Sequence, residues 1–204
     1  MLAQLRGVTS AWLRYRKIAR AFDGALTMAE FLPRRARVLD VGCGNGFISH
    51  HLNALGRSVV GVDLADATEA PIAYARFDGR TLPFEDMAFD AVCFSFVLHH
   101  ARNFTGLLRE AMRVVRPGGR ILVYEDIPEL WHDRALCLWH ERQWAVRSGA
   151  CTFLQSESWI DLFEGLGLRV AHRRILSRLR NPMHPVQGAL FVLEREARTG
   201  CAPA

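Results

Sequence analysis

The chain has 204 residues, half of them apolar, and a formal charge of +5. That length suits one domain with one core, and the longest uninterrupted apolar runs fall short of the roughly 18–20 residues a membrane helix needs. No secretory apolar stretch follows Arg6, and the five scattered cysteines (Cys43, Cys93, Cys137, Cys151, Cys201) lack CxxC spacing, so the sequence predicts a cytoplasmic protein with neither signal peptide, disulfide framework nor zinc ribbon.

Residues 10–30 predict a helix, with Trp12, Tyr15, Ala19, Phe22 and Leu26 at helical spacing and Pro33 closing the segment. Arg37–Val41 predicts a short buried strand leading into a glycine loop. A helix follows, carrying Ile48, Leu52 and Leu55 on one face and ended by Gly56. Further strands are expected over Ser58–Val62, ending at Asp63, over Tyr74–Phe77 and over Phe89–Ser95. Phe104, Leu107, Leu108, Ala111 and Val115 mark a helix over 103–115; Pro117-Gly118-Gly119 turns the chain into a strand over Arg120–Tyr124. Strands that alternate with helices, and read as continuous apolar runs, indicate a parallel sheet covered on both faces. Beyond 126 the pattern changes. A helix is expected over 128–147, and another, capped by Ser156, runs to Gly165. The strands Leu168–Ile175 and Gly188–Leu193 have no helix between them and should pair antiparallel. The chain thus divides into an N-terminal helical lid (1–35), a cofactor-binding domain (36–195) and a frayed tail (196–204).

Lys17 is the only lysine, and nucleic-acid binders usually mix Lys and Arg in patches. The positive charge motivates a nucleic-acid partner, but an almost lysine-free chain argues against one. Arg14, Arg16, Lys17 and Arg20, and later Arg169, Arg173, Arg174, Arg178 and Arg180, read as solvated heads on a packed helix and strand; the first group, with Trp12, could also touch a membrane or a partner.

The most informative stretch is Val38-Leu39-Asp40-Val41-Gly42-Cys43-Gly44-Asn45-Gly46. Glycines at a strand-to-helix junction let the backbone turn tightly and let a ligand approach it. Asp63, 17 residues after Gly46 at the end of the next strand, suits the two hydroxyls of a ribose. A dinucleotide fingerprint requires a small residue where this chain has Phe47, which argues against a nicotinamide oxidoreductase. An acidic Asp40 beside the loop instead suits a cationic ligand.

The ordered stretches VLDVGCGNGFIS, VVGVDLA, FDGRTLPFEDMAFDAV, FSFVLHH and LLREAMRVVRPGGRILVYED resemble the class I S-adenosylmethionine (SAM)-dependent methyltransferases, in particular their small-molecule group termed type 11. The resemblance spans residues 36–126 and weakens toward 194. It implies a Rossmann-like, mostly parallel seven-stranded sheet with helices on both faces and a C-terminal antiparallel strand pair. It also implies that Gly42, Gly44 and Gly46 run along the methionine portion of SAM, with Asp40 near its amino group and Asp63 on the ribose. Asp78, in the turn Phe77-Asp78-Gly79, would meet the adenine amino group, and Ser95 and Phe96 would close over the methionine side.

Methyl transfer from a sulfonium chiefly requires alignment, and a base only where the acceptor must lose a proton. Candidate bases follow the strand ends: His99 and His100 after the fourth strand, Glu125 and Asp126 after the fifth. A metal site from Glu125, Asp126, His132 and His140 has suitable donors but no recognised spacing, so no metal is expected. Trp131, Trp139 and Trp144 read as packing residues that could wall an apolar acceptor. No insertion follows the fifth strand, which favours a small organic acceptor. A nucleic-acid or protein methyltransferase and a non-catalytic SAM-binding partner are the alternatives. Ser95-Phe96-Val97-Leu98 stands where base-methylating enzymes carry an Asn/Asp-Pro-Pro-aromatic tetrad, and Asn181-Pro182-Met183-His184 is misplaced for one.

Overall fold

The computed structural model of the chain describes residues 2–148, 151–178 and 185–195. Its elements, in chain order, are α1 (Leu2–Ala29), β1 (Arg37–Val41), α2 (Phe47–Ala54), β2 (Ser58–Asp63), β3 (Ala73–Arg76), β4 (Phe89–Ser95), a 3-10 turn (Leu98–His100), α3 (Phe104–Val114), β5 (Val115–Asp126), α4 (Trp131–Ser148), α5 (Ser156–Gly165), β6 (Leu168–Leu176) and β7 (Gly188–Arg195). The strands form one seven-stranded sheet in the order β3-β2-β1-β4-β5-β7-β6. β1 to β5 run parallel, and β7 inserts antiparallel between β5 and β6. The expected Rossmann-like sheet with a reversed terminal pair is borne out.

Strand alternation explains the continuous apolar runs. Leu39, Val41, Val92, Phe94, Ile121 and Val123 face a layer built by Leu107 and Leu108 of α3 and by Trp159 and Phe163 of α5. Val38, Val59, Ala91, Cys93 and Leu122 face the opposite layer, covered by Ala25 and Met28 of α1 and Leu52 of α2. Neither face meets water, so the strands need no polar alternation. Among the described residues, no helix is long and apolar enough to cross a membrane.

Several local expectations change. The stripe of Trp12, Tyr15, Phe22 and Leu26 is helical but faces solvent, with Tyr15 70% and Phe22 45% exposed. The core face of α1 is made instead of Ala21, Gly24, Ala25 and Met28. Small residues there let the helix approach the sheet closely: a Cβ on Gly24 would lie 3.6 Å from Tyr124. The fifth strand begins at Val115 rather than Arg120, because Val115 pairs with Phe89 before a bulge at Phe89/Ala91. Pro117-Gly118-Gly119 is therefore an irregularity inside a strand, where Pro and Gly are tolerated. Ser156 is the first residue of α5 and not its cap. Its amide donates to Glu129 Oε1 at 2.8 Å, so a carboxylate from outside the helix satisfies the end.

The arginines expected as solvated heads on β6 and just beyond are paired with acids. Arg173 meets Glu157 at 2.5 Å, Arg174 meets Glu30 at 2.7 Å, Arg178 meets Asp133 at 2.7 Å, and Arg169 meets Glu194. Charge on an edge strand also discourages strand addition from another chain. Arg180, the Asn181–His184 segment and the tail after Arg195 lie outside the described residues. Phe163→Ala should cost about 3–5 kcal/mol in urea denaturation, since it empties a fully buried site. Tyr15→Ser should change stability by less than about 0.5 kcal/mol; a comparable loss from both would show that the solvent-facing stripe of α1 is packed.

Candidate active site

β1 ends in the loop Gly42-Cys43-Gly44-Asn45-Gly46, whose three glycines have φ of 74°, 51° and 76°. Side chains rarely tolerate that region. At Gly42 there is also no room, because a Cβ would lie 2.4 Å from Val97 Cγ2. Over Gly44 the space is open: among the described residues, apart from Gly44 itself and its two chain neighbours, no atom comes within 4 Å of the place a Cβ would take. The loop is thus clamped at one end and accessible at its middle.

Beside it lies a cleft of about 250 Å³ whose walls include Lys17, Arg20, Asp40, Gly44, Phe96 and Tyr124. Asp40 is 1% exposed. Its Oδ2 accepts a 2.6 Å bond from Ser49 Oγ, while its Oδ1 is buried with no hydrogen-bond partner among the described residues. Burial pushes its pKa up to about 6, against the pull of the Ser49 bond and with help from the charge of Asp63. Lys17 and Arg20 of α1 supply cations to the same cleft. The Arg20 guanidinium stands 4.4 Å over the Phe96 ring. Phe96 itself has φ 58°, and its amide donates to Tyr124 O at 2.8 Å while the two rings lie 4.5 Å apart. A non-glycine residue held at positive φ by such contacts is backbone strain stored at a cleft wall.

Asp63, at the end of β2, accepts from Gly44 N at 2.8 Å through Oδ2 and from Leu64 N at 2.7 Å through Oδ1. It therefore braces the glycine loop, and a carboxylate offers about four acceptor positions, leaving capacity for a ligand. Asp78 lies exposed beyond β3; its Oδ1 accepts from Arg80 N and Thr81 N at 2.8 and 2.9 Å.

A second constellation follows β4 and β5. Glu125 is fully buried; its Oε1 accepts from Val97 N at 2.9 Å and Leu98 N at 2.7 Å, and its Oε2 lies 2.5 Å from His99 Nδ1. Burial would lower the His99 pKa, but the charge and hydrogen bond of Glu125, with Asp126 behind, hold it above its ordinary value. Burial likewise pushes Asp126 up to about 7, opposed by Arg20 and His99. His100 goes the other way, to about 3, through burial and then the neighbouring imidazoles of His99 and His140.

A wider groove of about 900 Å³, lined by Arg37, Phe84, Asp86 and Arg113, opens at the other edge of the sheet, where β1 begins. Arg113 there is already paired with Glu110 and Asp86. Ligands of open α/β sheets bind beyond the carboxyl ends of the strands, where the glycine loop is.

A family model described as a methyltransferase domain matches residues 12–173. The chain belongs to the methyltransferase-domain family. A demethylmenaquinone methyltransferase of Tropheryma whipplei (strain Twist) is 33% identical over 135 residues, 54% of this chain and 56% of that protein. A ubiquinone biosynthesis O-methyltransferase of Pseudomonas aeruginosa (strain LESB58) is 34% identical over 102 residues, 43% of each. The chain spans about half the length of the curated relatives it matches. A solved S-adenosylmethionine-dependent methyltransferase of Mesorhizobium loti shares the fold, with a TM-score of 0.64 at 18% identity over 86% of this chain and 98% of that one.

In this methyltransferase domain, Asp40, Gly42, Gly44, Ser95 and Phe96 meet in one cleft. Gly46 sits behind it as the left-handed entry to α2, and Asp63, Phe77, Asp78 and Gly79 continue along the same sheet edge. His99 and Glu125 pair in the interior, and His132 lies apart, 3.7 Å from Asp133. Trp131 is 81% exposed and Trp139 55%, so neither packs as expected, and the Trp144 side chain lies outside the description. Lys17, Arg20 and Tyr124 also line the cleft, and no local spacing in the sequence links them to the loop. Gly42→Ala should destabilise the domain by at least about 1–2 kcal/mol through its φ alone, and the added Val97→Ala should recover the steric part. Equal unfolding midpoints for Gly42→Ala and the double variant would refute the clamp.

Proposed function

We propose that the chain transfers a methyl group from SAM to a small organic acceptor. The carrying observation is the charge layout of the cleft: the orphaned Oδ1 of Asp40 in one wall and the Lys17 and Arg20 cations in another, beside a bare Gly44 backbone. An amino-acid end with an ammonium and a carboxylate fits that layout, and a pyrophosphate beside Asp40 does not. When bound, SAM supplies a methyl group already activated on a sulfonium. The work left to the protein is to position the acceptor and exclude water.

In this reading Asp40 accepts from the ammonium, Lys17 and Arg20 face the carboxylate, and Asp63 accepts from the ribose hydroxyls. Phe77, Asp78 and Gly79 continue the surface toward the base. α1 serves as the lid, with Phe96 and Tyr124 as apolar walls. Glu125 is a positioning residue, since it faces the backbone of Val97 and Leu98 rather than solvent. The names of the relatives, a demethylmenaquinone methyltransferase and an O-methyltransferase of ubiquinone biosynthesis, support an aromatic acceptor that presents an oxygen or an activated carbon.

Calorimetric titration with S-adenosylhomocysteine tests the reading, with NADH as control. Asp63→Ala should weaken binding by about tenfold or more, the scale of one lost charge-assisted bond pair; wild-type affinity in that variant would remove Asp63 from the site. The Asp40 carboxyl is neutral below about pH 6, and a neutral carboxyl does not attract an ammonium. Affinity should therefore fall as pH drops through that value, approaching about tenfold per pH unit below it. Methylthioadenosine, which lacks the amino-acid end, should show no such fall. Identical profiles for the two ligands would sink the Asp40 assignment.

A further inference from the structure

Three imidazoles converge beyond the end of β4. His99 and His100 come from the 3-10 turn and His140 from α4, and one ligating nitrogen of each lies within 4.8 Å of the others. His100 Nε2 and His140 Nε2 are 3.4 Å apart. Two nitrogens bound tetrahedrally to a zinc ion at about 2.0–2.1 Å stand about 3.4 Å apart. His99 is 2% exposed, its Nδ1 committed to Glu125 and its Nε2 buried with no hydrogen-bond partner among the described residues. Its ring stacks on Phe153 at 4.7 Å, which fixes the direction of that nitrogen.

A hydrogen bond between His100 and His140 accounts for that pair alone. It leaves His99 Nε2 buried and without a partner among the described residues, a condition that costs about 1–3 kcal/mol. A cation at the centre satisfies all three nitrogens. The surroundings also match those of metal-binding histidines, which almost always give their far N–H to a carboxylate or another acceptor. Glu125 does this for His99, and Cys151 Sγ lies 3.3 Å from His100 Nδ1. Imidazole donors suit zinc and its neighbours, whereas magnesium and calcium require oxygen.

We propose that His99, His100 and His140 form a zinc site, with Glu125 in its outer sphere and a fourth position for a water or an acceptor atom. Sequence spacing hid it, because two ligands are adjacent and the third is supplied by a different helix.

The test uses tag-free full chain, stripped with a chelator and titrated with Co²⁺ as the optical probe. The expected result is one Co²⁺ per chain, with the intense visible bands of four-coordinate cobalt, displaced by Zn²⁺. His100→Ala and His140→Ala should each weaken binding by more than about 100-fold, and Glu125→Gln by about 10–100-fold. His132→Ala, outside the cluster, should change nothing. His140 is only half-buried, and circular dichroism together with S-adenosylhomocysteine binding checks that its variant is folded. Absence of stoichiometric Co²⁺ and Zn²⁺ binding by the wild type overturns the site, as does binding that survives both His100→Ala and His140→Ala. These readouts do not involve methyl transfer, so they separate failure of the zinc site from failure of the functional reading.

Discussion

Much of the active edge depends on one buried carboxylate. Glu125 takes two backbone amides and one imidazole nitrogen, so its charge is dispersed over three donors in a place water does not reach. The amides belong to Val97 and Leu98, just past β4, and Val97 presses against the backbone of Gly42. Position is thereby relayed from β5 to the exit of β4 and on to the loop after β1. Removing one partner of a buried ionic network strands the other, which commonly costs about 3–5 kcal/mol. The same carboxylate sets the tautomer of His99 by holding its Nδ1.

The electrostatics of the molecule separate into two regimes. On β6 and just beyond, each of these arginines meets an acid, and most of those pairs are partly solvated and of small energetic value. In the cleft, Asp40 stands inside while Lys17 and Arg20 approach from α1. The first regime neutralises an edge strand. The second sets opposite charges around one cleft, at the cost of desolvating a carboxyl, and titratable groups perturbed in this way concentrate where ligands bind.

The sheet, the glycine loop and the positions of Asp40 and Asp63 were legible because each is encoded locally: an apolar run, then glycines, then a helix. What escaped depended on partners far along the chain. The large apolar residues of α1 have clean helical spacing, yet Ala21, Gly24 and Ala25 make the contact, since closeness rather than size sets that interface. Glu125 looked like an acceptor-side group at a strand end. Alternation with Ile121 and Val123, which face the α3 and α5 layer, was the available sign that it points into the protein. The imidazole cluster joins residues about 40 positions apart, which periodicity cannot register. Ser156 misled because its side chain suits a cap, whereas Glu129 arrives from another segment.

The placement of β7 has a consequence for biogenesis. Among the described residues this strand is the last in chain order, yet it pairs with both β5 and β6. While the ribosome is still making it, β5 presents an open row of amides and carbonyls, and β6 has no neighbour in the sheet. The nascent domain is then a five-stranded intermediate with a sticky flank, prone to intermolecular pairing. Closure comes from one late insertion, so chaperone dependence and aggregation during expression should be governed by residues 188–195 more than by β1 to β5.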